Sequence, residues 1–344
     1  MPAAPSRSVP PRAGGKQPDG TSPPALARPP ARKGRRRRRV LFAVAVVLVL
    51  LLAWPIGLRL WADGRLSRVE ALSGASDTSG TTYLLAGSDE RDGSVSDDAT
   101  LGGRTDSILL LHEPSSGPSA LISLPRDSYV EIPGHGMNKL NAAYSFGGAP
   151  LLVETVEGLT GMTVDHYVQI GMEGIGEIVN AVGGVRLCYD DDVDDEKSKL
   201  KWKAGCHTVK GKKALAFARM RYADPEGDVG RAKRQQQLIG AVTKELASPG
   251  NLWQPGQQVA IARAGTDVLT VSDGTGALDI ARLGLAFRAA RGDGGVTGTP
   301  PIASLDHRPG GVGSTVLLDP DQTPGFFDDL AAGRLEPGEY GGAE

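Results

Sequence analysis

Residues 40 to 58, VLFAVAVVLVLLLAWPIGL, contain no charge and follow directly on RKGRRRRR. As an α-helix these 19 residues rise about 28 Å, close to the ~30 Å hydrocarbon core of a bilayer. A run of this kind can cross a membrane. The arginines stand on its N-terminal side, so the positive-inside rule keeps the preceding segment in the cytoplasm and sends the chain after Leu60 outside. Trp54 and Trp61 suit the outer interface. No small-x-small cleavage site follows, and the run reads as an uncleaved single-pass anchor rather than a signal peptide.

Charge is split along the chain. Eleven of the 38 Lys and Arg residues, but only one of the 40 Asp and Glu residues, precede position 40, which leaves the remainder acidic, near −12. Binding a phosphate backbone needs a positive face, so nucleic acid is excluded as the main partner. Residues 1–39, rich in Pro, Ala, Gly and Arg, lack the apolar surface that offsets ordering entropy and read as a disordered basic tail. The expected organisation is then this tail, a transmembrane helix at 40–58, a Ser-, Gly- and Asp-rich linker at 59–80, an extracytoplasmic domain at 81–325 and a polar tail at 326–344. Both cysteines, Cys188 and Cys206, lie beyond the anchor. Export favours a disulfide between them, the alternative being two separate buried thiols.

Within the domain, TTYLLAG, DSILLLHE and SALISLP read as buried strands bounded by Gly, Pro or polar clusters, and HYVQI and VRLCYD as two more. GGAPLLVETVEGLTG has Pro150 near a helix start and Gly161 as its stop, and MEGIGEIVNAVGG ends in the same way. GKKALAFARM predicts a short helix that gives way to an extended stretch at Arg219, and Asp228 is expected to cap the helix through VGRAKRQQQLIGAVTKEL. TGALDIARLGLAFRAA reads as a late helix and GGVGSTVLLD as a late strand. This alternation predicts an α/β protein, an α-β-α layered domain with a central mixed sheet, preceded by the single N-terminal transmembrane helix.

Arg219 and Arg221, two apart on extended chain, share a face, and Arg231 and Gln235 share a face in the first two turns of the following helix. Free N–H groups at a helix start favour an anion, and guanidinium forks match phosphate oxygens. Together they predict a multiply charged phosphate ligand. GSDER follows one strand, RTDS opens the next and LPRDSY closes the third; polar groups at strand ends are where α/β folds place ligands. Asp89 and Asp106 there are hard oxygen ligands suited to Mg²⁺ or Mn²⁺, with Arg104 and Arg126 beside them.

These segments, together with NKLNAAYSFGG, VNAVGGV, ALAFARMRY and GDVGRAKRQQQ in order over residues 81–245, resemble the signature of the LytR-CpsA-Psr family. The resemblance implies an α-β-α domain whose apolar pocket holds the polyprenyl chain of a lipid pyrophosphate. It implies a phosphotransferase that moves a glycopolymer of teichoic acid, arabinogalactan or capsule type from the polyprenyl-pyrophosphate donor to peptidoglycan, releasing polyprenyl phosphate. By motif, Asp89 and Asp106 match the metal-linked aspartates, while Arg104, Arg126, Arg219, Arg221, Arg231 and Gln235 match the pyrophosphate-binding set. Lys139 and Asn141 border that site. Arg126, Asp89 and Asp106 are the residues expected to act in catalysis. Asn180 departs from the Asp usual before AxGG, and the loop at 92–103 is lengthened.

A hydrolase acting on the lipid carrier, or a non-catalytic polyprenyl-phosphate-binding regulator, are the alternative readings. No Gly-x-Ser-x-Gly, Walker A, Gly-x-Gly-x-x-Gly or His-Glu-x-x-His pattern occurs. DDDVDDE at 190–196 lacks the spaced Gly and terminal Glu of a calcium loop and reads as a solvated turn.

Overall fold

A computed structural model describes residues 33–88, 105–220, 224 and 227–341. In chain order, helix α1 (Lys33–Asp63) precedes strands β1 (Ser67–Val69), β2 (Thr81–Ser88), β3 (Thr105–Glu113), β4 (Ala120–Leu124), β5 (Tyr129–Ile132) and β6 (Gly136–Lys139). Helix α2 (Leu140–Thr160), strand β7 (His166–Gly171) and helix α3 (Met172–Ala181) follow. Strands β8 (Val185–Tyr189), β9 (Val193–Asp195), β10 (Leu200–Trp202) and β11 (Gly205–Val209) lead to helices α4 (Gly211–Arg219), α5 (Gly227–Leu246), α6 (Pro249–Trp253) and α7 (Pro255–Val268). The chain closes with β12 (Leu269–Ser272), α8 (Ala277–Ala290), β13 (Val296–Gly298), β14 (Ile302–His307), β15 (Thr315–Leu318), α9 (Thr323–Ala331) and β16 (Gly338–Tyr340).

Eight of these strands form one sheet in the order β1-β12-β7-β2-β3-β4-β13-β16. It is mixed: β2 runs parallel to β7 and antiparallel to β3, β4 is antiparallel to β3, and β13 is parallel to both β4 and β16. Alternation along the strands sends side chains to opposite faces. Leu84, Ala86, Ile108, Leu110, Ile122 and Leu124 pack with Leu152, Val153 and Val156 of α2 and with Phe326, Phe327 and Leu330 of α9. Tyr83 and Leu111 face the other way, onto Ala286, Phe287 and Ala290 of α8. The result is the α-β-α layering expected. A separate core joins α3, α4 and α5 to the β8–β11 ribbons around Trp202 and Phe217. On those ribbons Cys188 and Cys206 stand directly opposite and are joined by a disulfide.

Several local expectations change. The residues expected as a linker include β1, which pairs with β12, and the buried Leu66 and Ala71. The stretch expected as a polar tail supplies Phe326, Phe327 and Leu330 to the core and β16 to the sheet. The helix expected at Pro150 is the second half of α2, which begins at Leu140. Gly147 and Gly148 break its helical backbone, and Gly148 takes φ +65°, ψ −152°, a region closed to side-chain-bearing residues. Gly161 ends α2 in the left-handed conformation, as the sequence predicts. Helix α1 extends past Leu58 to Asp63, and its Arg37–Asp63 portion is long and apolar enough to cross a membrane. Helix α5 begins at Gly227, so Asp228 lies inside its first turn rather than before it.

Candidate functional site

The carboxyl ends of β2, β4 and β7 lie at one end of the sheet, since Ser88 of β2 pairs with Gly171 of β7 and with Thr105 at the start of β3. The β2–β3 register shifts between Gly87↔Ser107 and Ser88↔Thr105, which makes Asp106 the extra residue of a bulge. Bulges re-aim a side chain and commonly stand beside active sites. Asp106 contributes backbone only to the described structure. Asp89, the residue after Ser88, lies outside the described residues, as do Arg104 and Arg221. The β3–β4 ladder ends at Ile108↔Leu124, and Arg126 lies in the turn that follows β4 at this same end of the sheet.

The turn after β4 is fixed by its own backbone and by its neighbours. Ser128 N–H donates to the Pro125 carbonyl, Asn141 N–H to the Arg126 carbonyl and Leu140 N–H to the Ser128 carbonyl, each at 2.9 Å. Val316 N–H holds the Asp127 carbonyl at the same distance. The start of α2 and β15 thereby clamp a turn whose Arg126 side chain is exposed. The Asp127 carboxylate lies between two cations, with Lys139 Nζ at 2.9 Å and Arg126 Nε at 3.4 Å. These groups are a quarter to two-fifths exposed, so each pair contributes less than ~1 kcal/mol and their importance is geometric. Arg126, Lys139 and Asn141, singled out separately in the sequence, are thus one cluster.

The second set sits on α4 and α5. Helix α4 ends at Arg219, which is exposed, and Met220 leaves the helix with ψ 130°. Gly176 of α3 and Gly211 of α4 meet backbone to backbone, Asn180 Oδ1 accepts from Gly211 N–H at 3.0 Å, and Leu215 lies over Gly176. This antiparallel packing carries the Arg219 end of α4 to the level of Met172, where β7 hands over to α3, and so to the same end of the sheet. Arg231 and Gln235 lie on α5, Arg231 described by its backbone alone.

The residue that organises this second set is Arg234, which the sequence reading passed over. Its guanidinium is buried, donates from Nε to the Phe217 carbonyl at 3.1 Å and from a second nitrogen to the Met220 carbonyl, and pairs with Asp224. The last carbonyls of α4, which a helix leaves without partners, are satisfied by a cation on the next helix. Burial pushes the Arg234 guanidinium down from its ordinary pKa, while Tyr189 and Asp195 hold it up. Arginine keeps its charge in a protein, so the pair with Asp224 is ionic. A Cβ on Gly230 would strike the Asp224 carboxylate, so the first turn of α5 requires a glycine where it passes this pair. The available signal was Asp224, an acid in the short segment between two helices, ten residues before an arginine on the second.

Among the described residues no group of three His, Cys, Asp or Glu side chains is placed to hold a metal. An open groove lined by Asp192, Trp202, His207 and Lys213 lies at the opposite end of α4 from Arg219 and contains none of the residues expected to bind. Of the acidic run at 190–196, Val193–Asp195 forms β9 rather than a turn, and Asp195 is buried, accepting from Lys197 N–H and Ser198 Oγ.

These features define a three-layer α/β protein with cationic side chains gathered at one end of a mixed sheet. A family model, the LytR_cpsA_psr family, matches residues 62–288, and the chain belongs to that family. The probable cell wall biosynthesis protein LcpB of Corynebacterium glutamicum is 40% identical over 298 residues, 84% of this chain and 69% of that protein. The polyisoprenyl-teichoic acid–peptidoglycan teichoic acid transferase TagU of Enterococcus faecalis is 39% identical over 169 residues, 48% of this chain. The chain region spans 54% of the TagU length. Among solved structures, a LytR-Csp2A-Psr enzyme from Actinomyces oris shares the fold with a TM-score of 0.59 at 23% identity, covering 78% of this chain and 96% of that one.

Proposed function

We propose that the protein is a cell-envelope phosphotransferase that moves a glycopolymer from a polyprenyl-pyrophosphate carrier onto peptidoglycan and releases polyprenyl phosphate. The observation that carries this reading is the gathering of Arg126, Lys139 and Arg219 at the sheet end where β2 and β3 lead to Asp89 and Asp106. The names of LcpB and TagU support it. An acceptor hydroxyl oxygen bonds to the phosphorus that carries the glycan, and the bond from that same phosphorus to the bridging oxygen breaks, so the bridging oxygen leaves with the lipid phosphate. The hydroxyl proton passes to a base, for which Asp89 or Asp106 is the assignment, and polyprenyl phosphate departs with the bonding electron pair.

Negative charge grows on the departing phosphate, and cations already in place stabilise that charge more than the ground state. Guanidinium forks at Arg126 and Arg219, with Arg104, Arg221, Arg231 and Gln235 of the same motif set, suit the pyrophosphate oxygens. Asp127 holds Arg126 and Lys139 together against their mutual repulsion. Asp89 and Asp106 would hold Mg²⁺ or Mn²⁺: hard carboxylates, one next in sequence after β2 and one at the bulge position of β3, are the donor type such an ion takes, and when bound it neutralises phosphate charge.

Residues 1–39 are assigned to the cytoplasm, the apolar run of α1 to the membrane and the remainder to the outside. The Cys188–Cys206 disulfide supports export, because such bonds persist in oxidising compartments. Substituting Arg126→Ala in the full chain tests the site: transfer falls by about 10²-fold or more while the unfolding midpoint holds. Undiminished transfer would overturn the assignment.

A further inference from the structure

From Leu246 to Ala262 the chain carries no charge, although the segment forms α6, α7 and the turn between them at the protein surface. Trp253, the last residue of α6, is 82% exposed. Exposed tryptophan in a charge-free surface segment is unfavourable in water and is the arrangement found where protein meets lipid headgroups.

The position of this segment is fixed by the end of α1. Trp54 Nε1 donates to Gln258 Oε1 at 2.6 Å, and Arg65 donates to Asp267 Oδ1 at 2.6 Å. Residues advance together along both elements, so α7 runs parallel to the end of α1. Gln258, five residues after Trp253, therefore stands beside Trp54, a residue of the uncharged run 40–58. Trp54 itself lies four residues, about 6 Å of helix rise, inside the end of the uncharged run at Leu58. Three of the segment's polar side chains turn inward to the protein: Asn251 Nδ2 donates to the Glu245 carbonyl at 2.7 Å, Gln257 donates to the Ala181 carbonyl and Gln258 accepts from Trp54. Satisfied polar groups are what a low-dielectric environment requires.

We propose that the α6–α7 turn sits in the outer leaflet of the bilayer that α1 crosses, with Trp253 at the boundary between headgroups and acyl chains. The proposal rests on the membrane-spanning reading of α1. It gives the domain a second attachment to the membrane. Gln257 of α7 holds the last turn of α3, and Asn180 of α3 holds the first N–H of α4, the helix that ends at Arg219. The height of the cationic sheet end above the lipid surface is thereby set by a rigid series of contacts, as suits an enzyme whose donor keeps its lipid tail in the membrane.

The test is tryptophan fluorescence of the full chain in phospholipid vesicles with and without brominated acyl chains. The native protein minus Trp253→Phe reports Trp253, and the native protein minus Trp54→Phe reports the anchor. Trp253 is exposed, so its replacement leaves the fold intact, and the buried Trp202 is an internal unquenched control. Bromine is expected to quench Trp253 to the same order as Trp54. If Trp54 is quenched and Trp253 is not, the turn lies in water and the proposal fails while the anchor stands. If neither is quenched, the spanning reading of α1 falls with it.

Discussion

Arg234 of α5 and Asp224 of the α4–α5 connection form an ion pair almost withdrawn from water, their side chains 5% and 4% exposed. Two carbonyls at the end of α4 share the same guanidinium. The pair ties Asp224 and the end of α4 to α5, the two helices on which the expected phosphate ligands Arg219, Arg231 and Gln235 lie.

Breaking such a pair from one side leaves a buried charge without a partner, which costs about 3–5 kcal/mol. Arg234→Met and Asp224→Leu are each expected to lower the unfolding free energy by that order in urea titrations. Arg219→Ala, at an exposed position, changes it by less than ~0.5 kcal/mol. Equal effects at Arg234 and Arg219 would contradict the role assigned to Arg234.

Asn180 caps α4 from a neighbouring helix, its Oδ1 accepting from Gly211 N–H. An aspartate can accept the same bond and adds negative charge at the positive end of the helix dipole. Asn180→Asp should therefore stabilise the protein by ~0.3–1 kcal/mol at neutral pH and low salt. Asn180→Ala should destabilise it by about 1 kcal/mol. Thermal unfolding of the three proteins side by side decides the ordering.

Cys188 and Cys206 close a loop with a sequence separation of 18 across β8 and β11. Loop-closure arguments give a bridge of this span about 3 kcal/mol. The Cys188→Ser/Cys206→Ser double variant is expected to lose unfolding free energy of that order and to unfold at a lower temperature, and reductant should shift the native protein but not the variant.

His112 and His166 are held neutral by burial, which lowers both below their ordinary value of 6.5. His112 shares hydrogen bonds with Thr82 Oγ1 at 3.0 Å and the Ala331 carbonyl at 3.3 Å; His166 shares one with Thr275 Oγ1 at 2.8 Å. Below pH 6.5 the unfolded chain takes up protons that the folded chain refuses, so stability falls as pH drops through that value towards the folded pKa. Unfolding midpoints measured from pH 7.5 to 5.5 should decline, and His112→Gln should decline less steeply. Identical slopes would remove His112 from the account.

The central strands were legible because their signal is local: TTYLLAG and DSILLLHE are buried whatever their partners, and the Gly161 stop is a property of one residue. Strands β1 and β16 were not, because three-residue strands have no period to read and exist only through pairing with β12 and β13, distant in sequence. Helix α9 was hidden in a Gly- and Asp-rich stretch where Phe326, Phe327 and Leu330 are the whole apolar signal. At the site, motif matching picked out residues that point at a ligand. It passed over Arg234, whose partners are two backbone carbonyls and a carboxylate in the preceding connection, because backbone partners leave no mark in a sequence.

The central claim is transfer of a phosphate-linked glycan to peptidoglycan at the cationic sheet end. The direct measurement incubates the full chain with a synthetic polyprenyl-pyrophosphate glycan, Mg²⁺ and peptidoglycan oligomers and follows product masses. The account predicts a glycan joined to peptidoglycan through one phosphate, with polyprenyl phosphate released in equal amount. Release of lipid with water as the only acceptor, or tight binding without turnover, would contradict it.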